Sequence, residues 1–362
     1  GNSAKTYAVR GLSTGVFGKT GRDWFGILPL RGKVFNVREK KPAVIAKNAV
    51  ITNIVQALGL RYGVDYTDDA EYNKLAYGRV MIITDADCDG LHISGLLQNM
   101  FHFLFPSLFD RETPFLFSMQ TPIVRVFLPN ETLTFYDEHK YTKYAHDFSK
   151  KHPNKKIDQK YYKGLGSTTG NDEIADTFGK KIFQFVKDDH ADANMFKLFH
   201  KTQADARKKW MANYDPSAVG VECGEDNVST PLNMTDFVDY ELIKYSLDDC
   251  GRSIPSVMDG NKESHRKVLY TAFLSNLSYK GKELKTAQFA GRVAEKSGYH
   301  HGEVNLYDTI TKMANDYVGA NNIPLLYRGG QFGCLDPKTP ICMWDGQTKV
   351  AKDVVIGDLL IG

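Results

Sequence analysis

The sequence predicts an α/β domain followed by a mainly helical portion and a short β-rich tail. Three observations carry this. Val80-Met81-Ile82-Ile83-Thr84 is a brief apolar, β-branched run that passes directly into an acidic turn and then an amphipathic segment, which is strand–turn–helix grammar. From Arg252 to Gly333 the apolar spacing is mostly helical with short breaks. Beyond Cys334 the text changes to short β-like runs broken by Asp345-Gly346 and Gly357-Asp358, as in hairpins. The divisions expected are 1–200, a linker at 201–245, 246–333, and 334–362.

Within the first division, Val80–Thr84 reads as a buried strand of a parallel, Rossmann-like sheet. The helix after it places Ile93, Leu96, Leu97, Met100 and Leu104 on one face and stops at Pro106. Ile123–Leu128 and Thr132–Tyr136 flank Pro129-Asn130-Glu131 and predict a β-hairpin. Residues 138–160 are polar and lysine-rich, an exposed excursion. Thr235 is placed to cap a helix with Val238, Leu242 and Tyr245 on one side.

Composition excludes several classes. A length of 362 residues suits two or three domains, and 42% apolar residues suffice for real cores. A net charge of +3 is too small to imply a nucleic-acid partner by itself. Local clusters stand out instead: Lys150-Lys151 with Lys155-Lys156, Arg207-Lys208-Lys209, and Arg266-Lys267. Each of these also reads as an ordinary solvated face. Five cysteines with no C-x-x-C pair suggest a reducing compartment. No secretory signal and no long apolar run occur, so no membrane partner is expected.

The acidic turn is the centre of the chemistry. Asp85, Asp87 and Asp89 alternate just past a buried strand, where three carboxylates repel one another unless a cation offsets them. Hard oxygen donors in small number suit Mg2+, which keeps several waters and binds phosphate. A solvated acidic turn or an acidic helix N-terminus is also compatible with the pattern. An EF-hand is excluded, because Leu96 stands where its bidentate Glu is required and a strand precedes the loop. Gly18-Lys19-Thr20 lacks the first glycine of a phosphate loop, and His300-His301-Gly302-Glu303 lacks the zinc-protease spacing.

Several segments in series resemble one family. Gly1-Asn2-Ser3-Ala4-Lys5, Pro29-Leu30-Arg31-Gly32-Lys33-Val34-Phe35-Asn36-Val37-Arg38, Thr84–Gly90 and Tyr161-Tyr162-Lys163-Gly164-Leu165-Gly166 resemble the Toprim domain of type II DNA topoisomerases. Arg252-Ser253-Ile254-Pro255-Ser256, Tyr299–Glu303 and Gly330-Gln331-Phe332-Gly333 resemble that family's winged-helix cleavage domain. Toprim and winged-helix motifs follow one another in a single chain, the eukaryotic and large-virus arrangement. The resemblance implies a homodimeric enzyme that breaks double-stranded DNA through a tyrosine, passes a second duplex and reseals the break. ATP is used in another domain, and the enzyme works in the nucleus or at a site of viral DNA replication. It implies Asp85, Asp87 and Asp89 as Mg2+ carboxylates, Arg31, Lys33 and Lys163 beside the cleaved DNA, and His300 or His301 positioning the scissile phosphate.

The family's metal-binding Glu would immediately precede Gly1, and its ATPase domain and nucleophilic tyrosine fall outside the sequence. The expectation is therefore DNA binding without cutting by this chain alone. Asn261–His265 departs from the family's usual L-K-P-x-Q run. The alternatives are a non-catalytic Toprim DNA-binding module, or a precursor inactive until it is joined to its remainder.

The tail resembles the first splicing block of inteins: Cys334, Thr339, an Asp345-Gly346 turn and a closing Gly357-Asp358. The Cys334 thiolate would attack the Gly333 carbonyl and convert the amide to a thioester. Its implied partners are the remainder of the intein and a C-extein. A lineage-specific β insertion or a frameshift is the other reading of this tail.

Overall fold

The computed structural model describes all residues except 1, 169, 282, 300, 317–322, 330–336, 356 and 360–362. The chain divides into two compact units, Gly1–Asp248 and Asp249–Gly362.

The first unit is built on a four-stranded sheet in the order β1 (Val80–Ile83), β2 (Leu116–Met119), β6 (Ile182–Val186), β7 (Ser229–Asn233). The strands β3 (Val124–Phe127), β4 (Thr132–Phe135) and β5 (Gln159–Tyr161) form a separate sheet, ordered β4-β3-β5. In the larger sheet β1 and β2 are parallel, β2 and β6 antiparallel, and β6 and β7 parallel. The all-parallel sheet expected from the sequence is therefore corrected to a mixed one. After β2 the chain makes its excursion through β3–β5, and it re-enters the sheet at β6 from the opposite direction.

Both faces of this sheet are covered, which is why β1 reads as a continuous apolar run and not an alternating one. On one face Ile82, Leu116, Phe183 and Phe185 join α3 (Cys88–Leu104), through Leu96, Leu97, Met100 and Phe101. On the other, Phe117, Met119 and Ile182 meet Tyr7 of α1 (Asn2–Gly11), Leu165 and Phe178. The helix α2 (Ala49–Leu58) adds Ile51, Ile54 and Leu58 to the first core, and Asn48 caps it by accepting from the Ile51 N–H.

The expected hairpin is present. Strands β3 and β4 pair antiparallel from Val124 opposite Phe135 to Phe127 opposite Thr132, and the Leu128 N–H donates to the Glu131 carbonyl across the turn. The lysine-rich excursion is more ordered than composition suggests. It contains the helix α4 (Glu138–Lys151), capped by Asp137 and seated on the small sheet through Tyr141, Tyr144 and Ala145.

The stretch expected as a linker, 201–245, belongs to the first unit. β7 is a sheet strand, and Phe237, Val238 and Leu242 are core residues. Those three lie in a π-helical turn, Phe237–Leu242, which continues as α-helix from Ile243. Polar Thr and Asn residues in β7 (Ser-Thr-Pro-Leu-Asn) concealed the strand in the sequence.

In the second unit, α5 (Glu263–Leu274), α6 (Thr286–Ser297) and α7 (Glu303–Met313) bury Val268, Phe289, Val293, Leu306, Ile310 and Met313 together. The tail forms an antiparallel hairpin, β8 (Pro340–Cys342) with β9 (Thr348–Val350), turned at Asp345-Gly346 with Gly346 at φ +82°. Asp358 closes this small unit by accepting from Lys349 at 2.8 and 2.9 Å and from the Val355 N–H at 2.9 Å. No helix among the described residues is long and apolar enough to cross a membrane.

Leu116 is fully buried in β2, the strand packed on both sides. Leu116→Ala is expected to destabilise the first unit by about 2–5 kcal/mol. The measurement is the shift in its denaturant midpoint, and a change under about 1 kcal/mol would contradict the packing described.

Candidate nucleic-acid and metal site

β1 ends at Ile83, and Thr84–Asp87 carry the chain over the sheet edge into α3. Asp87 is the N-cap of α3: its Oδ1 accepts from the Gly90 N–H at 2.8 Å, satisfying a donor that a helix start otherwise leaves unpaired. Asp85 is held from another direction, its Oδ1 accepting from the Leu165 N–H at 2.7 Å. That contact requires glycine at 164, because a Cβ there would lie 2.8 Å from Asp85 Oδ1. Lys163, exposed, therefore sits two residues from the group that grips Asp85. Asp89, in the first turn of α3, pairs with Lys33 Nζ at 2.6 Å.

The three carboxylates thus separate onto three donors. Among the described residues no group of three His, Cys, Asp or Glu side chains is arranged to hold a metal. The set expected from the sequence is not gathered as a cage. Asp85 and Asp87 are exposed and enter none of the salt bridges among the described residues. Each has one oxygen engaged by a backbone N–H. Two outward carboxylates with few protein contacts fit Mg2+, which takes one or two carboxylates and completes its shell with water and phosphate.

Lys33 is more constrained than a surface lysine. Besides Asp89 it lies 3.1 Å from His92 Nδ1 and 3.5 Å from Tyr245 Oη, and 4.5 Å above the Tyr245 ring. His92 and Tyr245 stack with centroids 3.8 Å apart. The sequence reading missed both as site neighbours. His92 was accessible, since Asp89 and His92 are three apart on one helix and share a face. Tyr245 had no local signal, because it arrives from 212 residues away. Arg31 is exposed beside Gly32, which adopts φ +75°, and it enters none of the described salt bridges.

A half-buried polar network ties the Arg31–Lys33 segment to α3. Arg38 Nε donates to Asn99 Oδ1 at 2.6 Å, and its Nη2 lies 3.0 Å from His102 Nδ1. Asn99 Nδ2 donates to Asn36 Oδ1 at 3.1 Å, and Asn36 Nδ2 donates to the Phe199 carbonyl at 2.6 Å. The Nε2 of His102 lies 2.7 Å from Asp192 Oδ1. Because Arg38 can only donate, the imidazole accepts at Nδ1 and carries its proton on Nε2. Burial, and then the Arg38 cation, push the His102 pKa below its ordinary value, against the opposing pull of Asp192.

His301 lies in the second unit, ahead of α7, with its ring 5.4 Å from Tyr299. His300, Cys334 and the Gly330–Gly333 motif fall outside the described residues.

Comparison with known proteins fits this geometry. Residues 119–250 match the family model for the C-terminal associated domain of TOPRIM, and residues 252–341 match the A-subunit family of DNA gyrase/topoisomerase IV. The class defined is that of the DNA topoisomerases. The chain is 45% identical over 349 residues to DNA topoisomerase 2 of Invertebrate iridescent virus 6, covering 92% of this chain and 30% of that protein. It is 42% identical over 346 residues to human DNA topoisomerase 2-alpha, covering 92% of this chain and 22% of that protein. The solved DNA-binding, cleavage and re-ligation domain of Plasmodium falciparum topoisomerase II superposes with a TM-score of 0.74 at 37% identity, covering 96% of this chain and 44% of that one. The chain belongs to the type II DNA topoisomerases of the eukaryotic and viral kind, and spans less than a third of the length of these curated relatives.

The His102 environment gives a pH dependence. Unfolded, His102 titrates near 6.5; folded, it resists protonation. The unfolded chain thus binds the extra proton first, so the stability contributed is full above about pH 6.5 and is lost as pH falls through the lower folded value. His102→Gln, which keeps a neutral acceptor, is expected to flatten the fall in melting temperature between pH 7 and 5. Equal slopes for the two proteins would refute it.

Proposed function

We propose that this chain is the Mg2+-dependent cleavage and religation portion of an ATP-driven type II DNA topoisomerase, acting on double-stranded DNA within a homodimer. The acidic turn between β1 and α3 carries the reading. Two exposed carboxylates, Asp85 and Asp87, stand without cationic partners among the described residues, near a margin bearing Lys33 and Lys163. Arg31 and Lys163 offer charge to the phosphates of the bound strand. Lys33, fixed by Asp89, His92 and Tyr245, presents its ammonium from a defined place. His300 or His301 would orient the scissile phosphate.

Mg2+ held by Asp85 and Asp87, with Asp89 behind Lys33, would offset charge on the transferring phosphate. The attacking tyrosine oxygen bonds phosphorus as the bond to the neighbouring sugar oxygen breaks, and the reverse exchange reseals the strand. The tyrosine and the ATP site belong to other parts of the longer protein. Such a protein would work in a nucleus or at a site of viral DNA replication. In that protein Asp85→Asn and Asp87→Asn are each expected to lower ATP- and Mg2+-dependent relaxation of supercoiled plasmid by about 100-fold or more. In the 362-residue chain both should weaken Mn2+ binding followed by electron paramagnetic resonance. Full relaxation by the Asp87→Asn protein would sink the metal assignment.

A second reading concerns 334–362, which we propose is the N-terminal segment of an intein with Cys334 as splicing nucleophile. Supporting it is the self-closed β8–β9 hairpin, joined by Asp358. Coding sequence downstream of Gly362 is expected to complete an intein ending in His-Asn and resume at Thr-Arg-Leu. Direct continuation into cleavage-domain sequence would exclude it.

A further inference from the structure

The strongest basic feature outside the site is the far end of α4. Residues 139–157 contain six lysines and a single acid, Asp147, which faces His146 at 3.7 Å. Of the six, Lys143 lies in mid-helix, exposed and outside the salt bridges among the described residues. Lys140 pairs with Glu222 at 2.7 Å, and Lys160, in β5, pairs with Glu173 at 2.6 Å. Lys150, Lys151, Lys155 and Lys156 are all exposed and enter none of the salt bridges among the described residues.

Their placement is fixed by packing. Tyr141, Tyr144 and Ala145 pack against the small sheet of Val124, Val126 and Phe135, and the lysine-bearing end of α4 faces solvent. Beyond the helix, the Lys155 N–H donates to the His152 carbonyl at 3.1 Å, turning the chain within a few residues of the helix end. Lys150 and Lys151 complement the negative end of the helix, which would explain them structurally. Lys155 and Lys156 lie past that end, and helix electrostatics does not account for them. Four uncompensated charges within seven residues mark a surface for a polyanion.

We propose that this lysine quartet grips the phosphate backbone of duplex DNA, flanking the cleavage site. The proposal rests on the nucleic-acid reading of that site. Strand β5 leads from the quartet to Lys163, and seven residues separate Lys156 from Lys163, at most about 25 Å of chain. That is less than one turn of duplex, about 34 Å, so one DNA molecule reaches both.

The test is a salt titration of duplex affinity by fluorescence anisotropy, using the 362-residue chain. It compares the parent, the quadruple variant Lys150→Gln/Lys151→Gln/Lys155→Gln/Lys156→Gln, and the pair Lys155→Gln/Lys156→Gln, which leaves the helix untouched. Each lysine that meets a phosphate contributes about 0.9 to the slope of log K against log salt. The expected result is a shallower slope by about 0.9 or more in the quadruple variant and an intermediate one in the pair, with unchanged melting temperatures. A parent that binds with salt dependence while both variants keep its slope overturns the quartet and leaves the nucleic-acid reading standing. A parent with no salt-dependent binding overturns both. A loss of affinity for polyglutamate, with none for duplex, would assign the surface to an acidic protein and reject the proposal.

Discussion

The end of β1 holds three carboxylates in one short turn, and each of them is engaged by a different part of the first unit. The strand β1 is covered on both faces, so it can deliver its charged end only at the sheet edge. There the chain disperses the charge onto three separate donors: the Leu165 backbone, the start of α3, and Lys33. Each donor belongs to a different stretch of sequence. Satisfying the turn therefore ties Lys33, α3 and the Gly164-Leu165 loop to a common point, and the motifs scattered along the chain become one surface. The Asn36–Arg38–Asn99–His102 network repeats this logic farther along α3, with amide oxygens and an imidazole nitrogen as the acceptors in place of carboxylates.

What was legible in the sequence follows from what is local. The strand–turn–helix of Val80–Leu104 could be read because a doubly covered strand is apolar throughout and Leu96, Leu97 and Met100 recur at helical spacing after it. The β3–β4 hairpin could be read because its turn residues punctuate two alternating runs. The α/β class of the first unit and the helical class of the second were also expected from pattern. Sheet direction was not legible, since the reversal at β6 depends on how the intervening small sheet is traversed. Strand β7 was hidden by Ser229, Thr230, Pro231 and Asn233, whose polarity reads as loop while Leu232 alone supplies the core contact. Its assignment to a linker is the natural error for a strand pinned by backbone pairing more than by side-chain burial.

The site divides in the same way. Asp85, Asp87, Asp89, Arg31, Lys33 and Lys163 stand out in the sequence, but the contacts each one makes do not. Alternation along an extended segment suggests a shared ligand. In three dimensions the helix begins at Asp87 and redirects the last carboxylate, so alternation ends where helical periodicity starts. A sequence pattern that crosses a strand–helix boundary thus overstates how many of its members converge.

The π-helical turn at Phe237–Leu242 bears on this site from a distance. A π turn takes up one residue more than the α-helix around it, so it resets the angular phase of everything that follows. An α-helix advances by about 100° per residue. Were the same segment wound as plain α-helix, Tyr245 would emerge roughly a quarter-turn away from the His92 ring on which it lies. The extra residue therefore acts as a timing element: it lets Phe237, Val238 and Leu242 seat in the core while delivering an aromatic face on schedule to the lysine beside the acidic turn.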